Sequence, residues 1–274
     1  MSAINVSAAD ACTGLRHALD AAAISCLDPA LNDDGLIHIE DLSGPSGREL
    51  HSLLTAGVAG HPAAPVPSKV LAPAAMSVAE TVAVRADLDQ LLAGMAIGDL
   101  SVRIHRGRPV IHLRNLDASG AETLTALLWT GLHDFLTAAR DLGDALQKHD
   151  LTEGGALTPR VRNLRITLGK VTVATAARFA SLLDGEPVPD DLECPEYAEA
   201  ADIADRLARA VQAAAGFMDV EMHYYCHECG HDSTITLREI RLDVAQRLVA
   251  ALQNATEQHV DLSVENRSPV PPPR

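Results

Sequence analysis

Residues 225–231, Tyr-Cys-His-Glu-Cys-Gly-His, hold the densest set of metal-ligating side chains in the chain, and two arrangements overlap in them. By its cysteines the stretch is Cys226-x-x-Cys229 followed by Gly230: two thiolates can reach one zinc ion while the glycine relaxes the backbone after the second ligand. By its histidines it is His227-Glu228-x-x-His231, which on a helix would set two imidazoles one turn apart around a catalytic zinc, with the glutamate as general base. The two cannot hold at once. A strand–turn–strand setting makes the zinc structural, and a helical setting makes it hydrolytic.

The flanking residues choose the turn. Val220, Met222 and Tyr224 alternate with Glu221, His223 and Tyr225, the period of a half-buried strand. Asp232-Ser233-Thr234-Ile235-Thr236 follows, rich in β-branched residues that suit a second strand better than a helix. Tyr225-Cys226-His227-Glu228-Cys229-Gly230-His231 therefore resembles one knuckle of a zinc ribbon, seven residues in extent, and the resemblance implies a structural zinc held by Cys226 and Cys229. The ribbon's second Cys-x-x-Cys is absent. His223 and His231 beside the knuckle, or Cys194 upstream, are the residues that can bring the ligand count toward four. Resemblance to the zinc metalloproteases would instead make His227 and His231 ligands and Glu228 the base. Against that, Cys229 stands where those families place a bulky apolar residue, and the place of a third histidine is taken by Leu237, leaving Glu239 or Glu257 as acidic substitutes. A thiol-redox pair at Cys226 and Cys229 is a further alternative, but it needs a helix start that the following β-branched residues do not offer.

The rest of the chain contains no Gly-rich phosphate loop, no Gly-x-Ser-x-Gly elbow and no dinucleotide fingerprint. Asp33-Asp34 and Asp190-Asp191 sit in turn-like sequence, where turn chemistry accounts for them. The expectation is thus a non-enzymatic interaction or regulatory protein with a protein partner or a second copy of itself. A basic cluster, Arg103, His105, Arg106, Arg108 and Arg114, marks Arg103, Arg106 and Arg108 as candidate binding residues. Such a ribbon can touch phosphates or an acidic partner. The net charge of −15 disfavours nucleic acid, whose binding rests on neutralised phosphates.

Four segments of nineteen residues, beginning at Leu36, Val110, Arg165 and Thr234, align without gaps. Their second, fourth and seventh places are aliphatic. The twelfth is small, as Gly47, Ala121, Ala176 and Ala245, and the third is polar, as His38, His112, Thr167 and Thr236, on the opposite sheet face. Each reads as a strand, a corner and an amphipathic helix, and the set reads as a duplication. The expected fold is α+β: four copies of a strand or hairpin followed by a helix, a mainly antiparallel sheet, and long connecting helices.

Those helices are expected near 8–25, 78–94, 119–148 and 197–215, the first three opened by Ser7-x-x-Asp10, Ser77-x-x-Glu80 and Ser119-x-x-Glu122. Val102 to Ile104 should pair with Val110 to Leu113 across Arg106-Gly107-Arg108, and Asp33-Asp34-Gly35 should turn the chain into the first copy. One half then spans 1–150, with a Pro-rich linker at 61–73, and the other 151–257, with the zinc hairpin. Residues 258–274, ending in a proline run, are expected to be disordered.

Hydrophobic residues make up 47% of the 274 positions, enough for a large core. With three lysines against nineteen arginines and abundant alanine, the composition is that of a GC-rich bacterium. No basic leader or long apolar span is present, and five cysteines make no disulfide framework, so the reading places the chain in the cytoplasm, off the membrane.

Overall fold

Polar caps open the helices and apolar stripes bury them. The computed structural model describes residues 7–22, 24, 28–59, 76–93, 97, 100–113, 115–152, 157–162, 164–189, 197–223 and 233–265. Along them run α1 (Ala8–Ala22), β1 (Ala30–Leu31), β2 (Ile37–His38), β3 (Leu42–Ser43), α2 (Gly44–Ala59), α3 (Val78–Ala93), β4 (Leu100–His105), β5 (Arg108–Leu113) and α4 (Ala118–Lys148). Then follow β6 (Leu157–Arg162), β7 (Arg165–Thr172), α5 (Val173–Asp184), α6 (Tyr197–Ala214), β8 (Val220–His223), β9 (Thr234–Leu237) and α7 (Leu242–Glu265). The fold is α+β, with antiparallel sheets ordered β1-β2, β3-β5-β4 and β6-β7-β9-β8. Among the described residues no helix is long and apolar enough to cross a membrane.

At α3 the capping box is complete. Ser77 Oγ accepts from the Glu80 amide at 3.2 Å, and Glu80 Oε2 accepts from the Ser77 amide at 2.9 Å. Ser7 caps α1 in the same way at the Asp10 amide. The cap of α4 differs from expectation: it is Asp117, whose Oδ1 accepts from the Gly120 amide at 2.7 Å, while Ser119 lies inside the first turn. A carboxylate there answers both the free amides and the positive helix end. The expected stripe of α4, from Ala121 through Leu128 and Phe135 to Leu146, is buried throughout. At the far end α7 continues to Glu265, into the segment expected to be disordered, because no proline or glycine interrupts the chain between Leu242 and Ser268. Residues 266–274 and the linker at 61–73 lie outside the described residues.

The chain divides into two compact units, Met1–Leu136 with Val161–Leu164, and Thr137–Arg160 with Arg165–Arg274. In the first, Ile37 and Leu116 exchange backbone hydrogen bonds of 2.7 and 2.8 Å, and Leu42 pairs with Ile111. In the second, Ile166 and Ile240 exchange bonds of 3.0 and 2.9 Å, and Val171 pairs with Ile235. In the alignment of the four segments, each pair joins the second place of one segment to the seventh of the other, and within each unit this runs in both directions. The helices α2, α4, α5 and α7 all begin at the ninth place. The eighth place caps three of them, as Ser43, Asp117 and Thr172. All four isoleucines at the second place are buried, as are Gly47, Ala121, Ala176 and Ala245.

The first segment departs from a single strand. The third segment, with the equivalent two partners, stays one strand, β7, beside β6, whereas β1 pairs only with Ile37 and His38 and β5 only with Leu42 and Ser43, so β2 and β3 are separate. In unit 1, α2 lies so close to the sheet that a Cβ on Gly47 would come within 2.7 Å of Ile111 Cδ1 and 3.3 Å of Val84 Cγ1. In unit 2, Arg206 of α6 ties down the end of α5. Its guanidinium bonds both Asp184 oxygens at 2.8 Å and the carbonyls of Glu186 and Pro187.

Candidate functional site

The hairpin that carries the cysteine motif is built from β8 and β9. Val220, Glu221, Met222 and His223 pair with Leu237, Thr236, Ile235 and Thr234, so His223 and Thr234 face each other where the connecting segment begins. Buried Ile235 and Leu237 place that side of β9 on the core and leave Glu221 and His223 on the other face. At the base, the Arg238 guanidinium donates to the Glu221 carboxylate, and this hydrogen bond holds the carboxyl below its usual range. Cys226, Cys229 and His231, together with His227 and Glu228, lie outside the described residues, and so does Cys194. Among the described residues no group of three or more His, Cys, Asp or Glu side chains is placed to hold a metal ion.

The basic cluster sits on the other hairpin. β4 and β5 pair from Leu100↔Leu113 to His105↔Arg108, and Arg106-Gly107 form the two-residue turn at φ 48° and 76°. Both central residues with positive φ mark the turn type whose twist matches paired strands. Arg108, expected in the turn, is already in β5. The buried partners Leu100, Leu113 and Ile111 set one face toward the core, so Arg103 and Val110, with His105 and Arg108, share the outer face. Arg103 and Arg108 are then diagonal neighbours, about 7–8 Å apart at the backbone. Among the described residues neither they nor Arg106 has a carboxylate within ion-pair distance, whereas Arg16, Arg85, Arg140, Arg206, Arg238, Arg241 and Arg247 each have one. The tip runs past the helices that cover the sheet, since Ile104 on the core-facing side is 61% exposed. Arg114 lies outside the described residues.

Compared with protein-family models, with curated proteins and with solved structures, the chain matches none. The chemistry of the site is therefore read from its own residues.

A third cluster was not singled out from the sequence. His38 and His112, the third-place residues of the first two segments, bring their rings to 6.1 Å between centroids with planes at 47°. His112 Nδ1 lies 2.7 Å from Asp41 Oδ1, and His38 Nδ1 lies 3.1 Å from Asn115 Oδ1. Asp41 and Asn115 are both sixth-place residues, so each histidine bonds across to the other segment. The outward direction of the third place was legible. Its partner was not, because that depends on the reciprocal pairing of the two segments.

Proposed function

We propose that this chain is a non-enzymatic interaction or regulatory protein that binds an acidic partner protein through the β4–β5 hairpin. The carrying observation is the cluster of Arg103, Arg106 and Arg108, exposed and, among the described residues, without carboxylate partners at the tip of one hairpin of a chain whose net charge is −15. Arg106 adds weight. A non-glycine residue in the left-handed region costs roughly 1–2 kcal/mol, and Asn or Gly is favoured at that place in such a turn. The tip carries its charge against its own conformational preference. Ile104 supplies apolar area beside the guanidinium groups, a combination that suits a protein surface better than a run of phosphates.

A structural zinc at Cys226 and Cys229, completed from His223, His231 or Cys194, belongs to the same reading, as a clamp on the β8–β9 hairpin. It is supported by the direct pairing of His223 with Thr234, since Cys226 and Cys229 both fall in the sequence between these two residues. Duplication of one strand–corner–helix segment accounts for the reciprocal pairing in both units. The proposed setting is a bacterial cytoplasm, where free thiols such as that of buried Cys12 stay reduced.

Fluorescence anisotropy with a labelled polyglutamate peptide, and with a single-stranded oligonucleotide of equal charge, tests the binding. The peptide should bind, more weakly as salt rises, and the triple variant Arg103→Glu, Arg106→Glu, Arg108→Glu should abolish it. Equal binding by both proteins, or tighter binding of the oligonucleotide, refutes the assignment. Elemental analysis tests the clamp: near-stoichiometric zinc, lost in Cys226→Ser, is expected, and zinc-free protein of unchanged stability removes it.

A further inference from the structure

We infer that His38 and His112 form a binding site for a divalent transition-metal ion of the zinc, nickel or copper class, with Nε2 of each ring as ligand and water completing the shell. The hydrogen bonds fix the chemistry. Asp41 Oδ1 and Asn115 Oδ1 carry no hydrogen to give, so each Nδ1 is the donor in its bond. With Nδ1 as the donor, Nε2 is the nitrogen of each ring left to take a metal. A ligating histidine whose other nitrogen donates to a carboxylate or carbonyl oxygen is the usual supporting arrangement of a metal site, and it raises the basicity of the ligand. Here it occurs twice.

The rings are also near the required distance. Two imidazoles on one tetrahedral zinc, at Zn–N distances of about 2.0–2.1 Å, have centroids about 5 Å apart. The observed 6.1 Å lies about 1 Å beyond that. His38 is only half-buried and His112 keeps 16% of its side chain exposed, and binding has to draw the rings together by that difference and turn both Nε2 atoms onto the ion. Asp41 stays on Nδ1 of His112, which is why no third protein ligand is assigned and why the ion reaches the site from solvent. The second unit provides an internal comparison. The corresponding places hold Thr167, Thr236, Lys170 and Glu239, so the same backbone crossing there has no imidazole to offer.

The test uses the full chain carrying Cys226→Ser and Cys229→Ser, so that thiolates do not compete. Zinc ion is titrated while calorimetry gives the stoichiometry and NMR follows the histidine ring nitrogens. One ion per chain is expected, with the Nε2 signals of His38 and His112 moving together and those of the other histidines unmoved. His38→Asn and His112→Asn should each abolish this saturable binding, with circular dichroism reporting the fold. Asp41→Asn, which keeps the ligands and the shape, should weaken it about tenfold. Absence of saturable binding by the folded protein, or zinc-dependent shifts confined to other histidines, overturns the site. The NMR result needs no variant at either ligand, so a misfolded substitution cannot blur it.

Discussion

Gly57 of α2 lies directly against the backbone of Leu127 in α4, so close that a Cβ would overlap the Leu127 carbonyl oxygen, and Gly131 of α4 stands in the same relation to Leu53 of α2. Each helix contributes one glycine and accepts the other, so the two backbones touch with no side chain between them. Gly57→Ala and Gly131→Ala should each force the helices apart and destabilise the protein by about 1–3 kcal/mol, although alanine is the better helix former. Urea denaturation of the two single variants and the double variant checks this. Because one separation relieves both clashes, the double variant should lose less than the sum.

Ala121 and Ala245 occupy the twelfth place of their segments, fully buried. Ala121→Leu and Ala245→Leu should each cost about 1–3 kcal/mol by overpacking. An Ala121→Leu protein as stable as the parent would mean that the helix can lift off without loss.

The Arg206 guanidinium hydrogen-bonds the Asp184 carboxylate and so holds it below its usual range. A depressed carboxyl stabilises the fold fully above its unfolded-state pKa of about 4, and the contribution disappears as pH falls through the lower folded-state value. Arg206→Gln should therefore reduce stability at neutral pH and flatten its loss on acidification. Thermal melts from pH 7 down to pH 3 read both changes, and parallel curves for the two proteins would remove Asp184 from the acid response.

Arg106→Asn separates conformational cost from function. The substitution suits φ 48° and should stabilise the protein by about 1 kcal/mol while weakening binding of an acidic peptide. Calorimetric melting and peptide anisotropy on the same sample give the two readings. A variant that gains stability and keeps its affinity would show that Arg106 only closes the turn.

Much of this architecture was legible where the chain specifies it locally. Ser77 and Glu80 announce α3, the apolar spacing of Ala121 through Leu146 announces α4, and Arg106-Gly107-Arg108 announces a hairpin turn, one residue longer than the turn found. What stayed hidden depends on partners distant in sequence. Nothing local at Ile39 to Asp41 signals a break, which arises because β1 pairs only with Ile37 and His38 and β5 only with Leu42 and Ser43. The same holds for the histidines: their side of the sheet follows from alternation, but that His112 meets Asp41 follows only from the register of two strands. At α4 the expected cap, Ser119, gave way to Asp117, whose carboxylate takes the Gly120 amide.

The reciprocal pairing in unit 1 also sets an order on synthesis. Asp41 and His112, which meet in the finished sheet, are 71 positions apart. At typical elongation rates the ribosome needs roughly 4–14 s to add that stretch. Throughout that interval Leu42 has no strand to pair with and Ile37 has only β1, and both, with Ile39, are among the most deeply buried side chains of the finished unit. α2 and α3 can form while they wait, but the sheet cannot. The nascent first segment is thus an apolar edge awaiting its counterpart, the kind of surface for which chaperones compete.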